Sequence, residues 1–273
     1  MESIFFYIGF GFFCIATFFF IIHLITLKNI WSGFGNYAIL IAIVSYTLYL
    51  IFRGFIIRHF PVTSVHEGLV LLCLLLGILF LVFFHKYKLK VVGVFLAPLA
   101  TFFSLIAFFV KQPPMPVLNT LQSFWLPIHV GSIFIGNALF SLSFVFSVVY
   151  IIENFRLKKK KFDNFGKQFP SLTTLDNINY MCIVYGFPFM TLGMITGAIW
   201  AQYAVGSYWN NDPKEIWSLI TWMLYAAILH CRLISGWRGK KIAVFSIVAF
   251  LVLVFSFVGV TYLFKGYHIF RGI

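Results

Sequence analysis

The sequence predicts an all-α polytopic membrane protein: about eight transmembrane helices, with an external Trp-rich loop between helices six and seven. Three observations predict it. Of 273 residues, 62% are hydrophobic and only 10% charged, with a mean hydropathy of +0.98, beyond any ordinary globular domain. Apolar stretches of about 20 residues recur along the chain, each long enough to cross a hydrocarbon core of about 30 Å. Finally, the run from Gly197 to Trp222 packs four Trp and two Tyr around a short polar knot, where a membrane surface favours amphipathic rings.

The segments follow in order. The first, about 4–25, lacks a basic start and a small-residue cleavage site, so it reads as a retained helix. The second and third, about 36–57 and 67–84, meet at a junction crowded by Arg53, Arg58, His59 and Glu67. The fourth spans about 91–109 and the fifth about 127–152. A polar loop, about 153–179, then carries the run Lys158 to Lys161, a solvated anchor. The sixth segment, about 180–201, holds Gly186, Gly193 and Gly197, small residues that permit close helix packing. Asp176 is expected to cap its start. The seventh and eighth cover about 216–235 and 243–264. With no internal repeats or low-complexity stretches, residues 1–273 read as a single membrane domain.

The net charge of +13 is not a nucleic-acid signal, because Lys and Arg sit in short loops. With the N-terminus outside, inner loops hold 14 of them and outer loops 6, which favours both termini outside. The Trp-rich loop then faces outward too. The four Cys, at 14, 73, 182 and 231, lie singly. With neither a C-x-x-C pair nor zinc spacing, thiol–disulfide exchange by this chain is not expected. Cys14 and Cys73 read as small buried hydrophobes.

Histidines supply the metal-ligating candidates. His129 falls at the outer end of helix five and His268 just beyond helix eight, both on the side of the Trp-rich loop. That loop offers the flat, apolar, polarizable floor a porphyrin needs. The plain alternative is a pair of interfacial residues bonded to headgroups. His230 lies 14 residues after Ile216, roughly 21 Å along helix seven, in the inner half of the bilayer, where a titratable group is a functional candidate by default. Met223, Ala226 and Ala227 share its face. His23, His59 and His85 sit near helix ends and read as snorkelling residues.

Several motifs resemble the heme-handling CcsA/ResC and CcmC group of cytochrome c biogenesis proteins, known for a Trp-rich "WWD" segment. Trp200-Ala201, Gly206, Tyr208-Trp209, Asp212-Pro213-Lys214-Glu215, Trp217 and Leu219 to Trp222 match its CcsA branch. Val205 and Asn211 stand where that branch usually has Trp. Leu121 to Val130, Leu229 to Arg232, Phe60 to Glu67, Leu175 to Tyr180 and Gly186 to Gly193 extend the likeness over about 60–270.

The resemblance implies heme b, bound non-covalently and in transit, with His129 and His268 as external axial ligands to its iron and His230 as an intramembrane ligand. Trp200, Tyr208, Trp209, Trp217 and Trp222 would form the heme-contacting loop, and Asp212, Lys214 and Glu215 its polar part. His66, Glu67 and Trp125 are further candidates, although the favoured reading of His66 is an ordinary interfacial residue. The implied function is heme presentation for covalent attachment to an apocytochrome c (C-x-x-C-H) outside the membrane. The chain would be a subunit of a holocytochrome c synthase (heme lyase) complex, with a CcsB/ResB-type membrane protein as partner. The implied compartment is the bacterial cytoplasmic membrane, or the thylakoid. One alternative is CcmC-like loading of heme onto a chaperone. Another is a small-solute or heme transporter, which leaves the His-bearing motifs unexplained and lacks paired broken half-helices.

Overall fold

The computed structural model describes residues 2–87, 90–110, 124–160 and 166–264. Among them are eight helices long and apolar enough to cross a membrane. They are α1 (Glu2–Thr26), α2 (Asn29–Ile57), α3 (Val65–Tyr87), α4 (Lys90–Phe109), α5 (Trp125–Lys158), α6 (Leu172–Val205), α7 (Pro213–Leu233) and α8 (Lys240–Val254). A π-helical turn, Phe255–Gly259, and one further α-turn, Val260–Leu263, continue α8.

Several helices outrun the apolar windows of the sequence. The expected polar loop at 153–179 is largely helical, because α5 runs on to Lys158 and α6 begins at Leu172. Polar sequence can extend a helix once its apolar part is anchored. Ser171, not Asp176, starts α6: its hydroxyl accepts from the Thr174 amide at 3.1 Å, as a capping side chain should.

The chain divides into two compact units. Unit 1 comprises Met1–Gln112 and Ile151–Leu175. In it α1 packs on α2 and α4, and α3 on α2 and α4, an up-and-down bundle. Its core is aromatic, with Phe6, Phe13, Phe20, Tyr46, Tyr49, Phe80 and Phe103 all buried. Two glycines make room: a Cβ at Gly9 would strike the Tyr46 ring, and one at Gly93 the Phe20 ring. Buried hydroxyls find partners across helices. Tyr46 Oη donates to Ser104 Oγ at 2.9 Å, and Thr101 Oγ1 donates to the Phe13 carbonyl at 3.0 Å.

The charged α2–α3 junction resolves into one buried cluster. Arg53 Nε donates to Glu67 Oε1 and Arg53 Nη1 to Glu2 Oε1, each at 2.8 Å. Glu67 also closes a capping box at the start of α3. Its Oε2 accepts from the Ser64 amide at 3.2 Å, while Ser64 Oγ accepts from the Glu67 amide at 3.2 Å. Thr63 adds an amide bond to Oε2 at 2.9 Å. A buried carboxylate so fully bonded is tolerable where an unpaired one is not.

His23 and Cys14 depart from expectation. His23 is fully buried, with Nδ1 3.0 Å from the Lys28 carbonyl, because the α1–α2 turn folds over it. Cys14 lies on the exposed face of α1, whereas Cys73 and Cys182 are buried. His59 and His85 stay near the surface as expected.

Unit 2 comprises Pro113–Tyr150 and Asp176–Ile273. Here α5 and α6 approach closely along the expected glycines. A Cβ at Gly186 would meet Phe140, at Gly193 Ile133 and at Gly197 His129. Rings complete the packing: Phe140 stacks on Tyr225 of α7 with centroids 3.5 Å apart, and Phe144 on Phe250 of α8 at 4.3 Å.

Candidate functional site

The sequence candidates fall into three places. His129, Trp125, the Trp-rich run and His230 belong to unit 2, and His66 and Glu67 to unit 1. His268 lies outside the described residues.

His129 is the best-defined candidate. Its Nδ1 sits 2.6 Å from the Gly193 carbonyl, one turn from Gly197, where a Cβ would come within 2.5 Å of the same nitrogen. Only glycine lets the imidazole settle on α6 here. A carbonyl oxygen only accepts, so Nδ1 carries the proton and Nε2 the lone pair. That is the tautomer a metal-ligating imidazole uses, oriented by its other nitrogen. Trp125, one turn earlier on α5, is half-buried.

The Trp-rich run divides by environment. Trp222 is anchored on α6: its Nε1 donates to Thr191 Oγ1 at 2.8 Å, and its ring stacks on Phe187 at 5.2 Å. Trp217 packs edge-on against Phe255 of the π-helical turn, with centroids 4.6 Å apart. Trp200, near the end of α6, keeps a buried indole N–H without a partner. Tyr208 and Trp209 stay exposed, at 62% and 42%. The run thus has two held rings, Trp217 and Trp222, and an exposed aromatic tip.

The polar residues of the run are the start of a helix. Asp212 is the N-cap of α7, buried, accepting from the Lys214 amide at 2.8 Å, with Pro213 at the first turn. Glu215 completes the capping box and also accepts from the Asn210 amide at 2.9 Å. Both carboxylates therefore hold backbone, which fixes the loop relative to α7. Asn211 takes a left-handed conformation, φ 55°, which Asn tolerates better than Trp. Its Oδ1 accepts from Trp209 Nε1 at 2.7 Å. Asn211 thus serves the turn and aims the neighbouring indole.

His230 is exposed in the last turn of α7, on one stripe with the exposed Ile216 and Met223. His66 is the opposite case. It is fully buried, with Nδ1 2.8 Å from the Ala107 carbonyl and its ring 4.6 Å from Phe6 and 5.5 Å from Tyr49.

Two features escaped sequence reasoning because they depend on contacts remote in the chain. One is the Thr191–Trp222 bond. The other is Asp176, which binds Arg232 twice, at 2.8 and 2.9 Å, and takes the Gly239 amide at 2.9 Å. It ties the start of α6 and the end of α7 to the start of α8. The spacing of Asp176 in α6 carried no signal for either partner.

Among the described residues no group of three or more His, Cys, Asp and Glu converges as for a bare metal ion. Fold and site together define a polytopic helical membrane protein with a structured aromatic loop and an oriented histidine.

Residues 62–268 match the family described as cytochrome C assembly protein. The chain is 37% identical over 220 residues to the cytochrome c biogenesis protein CcsA of Chlamydomonas reinhardtii, covering 77% of this chain and 60% of the relative. The CcsA of Guillardia theta is 32% identical over 89% of this chain and 86% of its own length. That of Cyanophora paradoxa is 32% identical over 98% and 95%. Among solved structures the cytochrome c heme lyase CcmF superposes with a TM-score of 0.69 at 14% identity, over 98% of this chain and 47% of that one. This last likeness shows the fold, and the chain spans about half of that longer protein. The chain belongs to the cytochrome c assembly protein family.

Proposed function

We propose that this chain handles heme b for cytochrome c maturation. It would hold the heme non-covalently on its outer face and present it to an apocytochrome c. The observation that carries the reading is the bond from His129 to the Gly193 carbonyl, which sets the ligand tautomer and orientation. His268 is the proposed second axial ligand and His230 the ligand of a site deeper in the membrane.

Heme is the cargo here, and it brings the vinyl groups to which two cysteine thiols of a C-x-x-C-H protein add. Each addition forms one C–S bond and moves the thiol hydrogen to the other vinyl carbon, so no further oxidant or reductant is consumed. The chain's own residues position and shield. Trp200, Trp217 and Trp222 provide apolar walls, and the capped loop holds Tyr208 and Trp209 outward for the incoming protein. Such orientation and exclusion of water lower the barrier without a proton-transfer group. Asp212 and Glu215 act through the loop's shape.

A CcsB/ResB-type membrane protein is the proposed partner, with which this chain forms a holocytochrome c synthase. The 14-to-6 division of Lys and Arg supports the loop and both termini on the outer face. The membrane is a bacterial cytoplasmic membrane or, as the sources of the relatives suggest, a thylakoid. A second reading, loading heme onto a chaperone, draws on Val205 and Asn211, which leave two fewer rings in the loop. Covalent heme on a single-His carrier protein, rather than on a C-x-x-C-H protein, decides for it.

The deciding experiment is the absorption spectrum of the purified chain, with and without a CcsB-type partner, beside His129→Ala and His268→Ala. A low-spin spectrum that weakens in either variant and returns with added imidazole is expected. Heme-free protein in the partner's presence overturns the proposal.

A further inference from the structure

Beyond the ligands, the structure points to a carboxylate clamp: we infer that the α7–α8 turn binds the heme propionates of the cargo whose iron His230 receives. This rests on the heme-handling reading above and adds to it the residues that recognise the acidic edge of the porphyrin.

The turn is built to be rigid. Asp176 grips Arg232 through both oxygens and takes the Gly239 amide as well, and Arg232 also lies over the Tyr180 ring at 4.5 Å. Arg232 is thereby committed to structure. Gly236 and Gly239 adopt φ +65° and +63°, which only glycine takes without strain. The Trp237 amide folds back to the Cys231 carbonyl at 3.0 Å, so the turn returns to the residue next to His230. The His230 carbonyl is itself held by the Ile234 amide at 2.9 Å.

What this frame presents fits an amphipathic, dianionic disc. His230 is exposed at the last turn of α7. Trp237 offers a ring 37% exposed, with Lys241 Nζ 5.2 Å from its centroid. Arg238 and Lys241 are exposed and make no ion pair among the described residues. A ring for the porphyrin edge, two cations for its carboxylates and an imidazole for its iron thus follow one another around a single fixed turn. The guanidinium of Arg238 also suits a carboxylate by its fork geometry.

The test uses the full chain carrying H129A and H268A, so that only the deeper site is read, titrated with heme b and with heme dimethyl ester. Arg238→Gln and Lys241→Gln are each expected to weaken heme b binding about two- to fivefold, the range for partly exposed charge pairs. The double variant should multiply the two effects, and Arg238→Lys should retain part of the affinity. The ester, which has no carboxylates, should bind the parent and the double variant equally. Equal heme b affinity in parent and double variant overturns the inference, as does a loss that appears only when anionic lipid is present, which assigns the cations to headgroups. Ester binding that falls as much as heme b binding also overturns it, because it reports distortion of the turn. If the parent binds neither molecule, while His230→Ala is indistinguishable from it, the heme-handling reading itself fails for this site.

Discussion

The two units open helices with the same device and use histidine in opposite ways. Ser64 with Glu67 in unit 1 and Asp212 with Glu215 in unit 2 are both capping boxes. After the first, His66 is sealed inside the bundle by Phe6, Tyr49 and the Ala107 carbonyl. In unit 2, His129 rests in a glycine groove at half burial and His230 is exposed. Enclosed in this way, His66 packs in the core of unit 1. A histidine whose Nδ1 is held by a carbonyl at half burial is a ligand candidate.

The contrast can be broken most forcefully in unit 1. Arg53→Ala strands Glu67 and Glu2 and is expected to cost about 3–5 kcal/mol, read as a lower unfolding midpoint in detergent. Heme bound per folded molecule should not change. Replacing Arg53 and Glu67 together by Met and Leu should recover part of that loss, since Glu2 and the Thr63 and Ser64 amides still lose a partner, and a double variant as unstable as Arg53→Ala would refute the account of the cluster. Next comes Gly197→Val, which drives a side chain into His129. A 10- to 100-fold drop in heme occupancy is expected, the usual cost of disturbing a ligand's orienting shell, with partial recovery in added imidazole. His66→Ala should instead lower stability by about 2–5 kcal/mol through a cavity and leave the heme spectrum intact; a spectral change there would erase the distinction between the units. Asp212→Ala removes the cap of α7 at a cost of about 1 kcal/mol, seen as a small drop in midpoint. The smallest effect is Thr191→Val, about 0.5–1.5 kcal/mol, accompanied by a shift of Trp emission as Trp222 loses its bond.

Much of the fold was legible because membrane helices obey a simple constraint. Backbone groups in hydrocarbon must bond within the helix, so apolar length alone marks each span, and all eight appear where hydropathy placed them. Their ends were less legible. Leu172 to Asn179 looks like loop by composition, yet it is helical, since Ser171 caps it and the apolar part of α6 anchors it. Glu67 and Arg53 looked like a disruption of helices two and three; their mutual bond removes the charge penalty that hydropathy assumes.

For the site, the sequence specified the aromatic run, the glycines of α6 and the position of His129 near the start of α5. It also held the cue for the capping box, since Asp-Pro-Lys-Glu is a helix-start pattern. It could not set the exposure of a side chain, because burial depends on what packs from remote segments. His66 and His129 each place Nδ1 on a backbone carbonyl, yet one is fully buried and the other half-buried. Nor could it assign Asp176 to Arg232 and Gly239, 56 and 63 residues away. Local patterns fixed the helices, their caps and the chemistry on offer. Tertiary packing alone decided which polar groups were consumed in holding the bundle and which were left exposed.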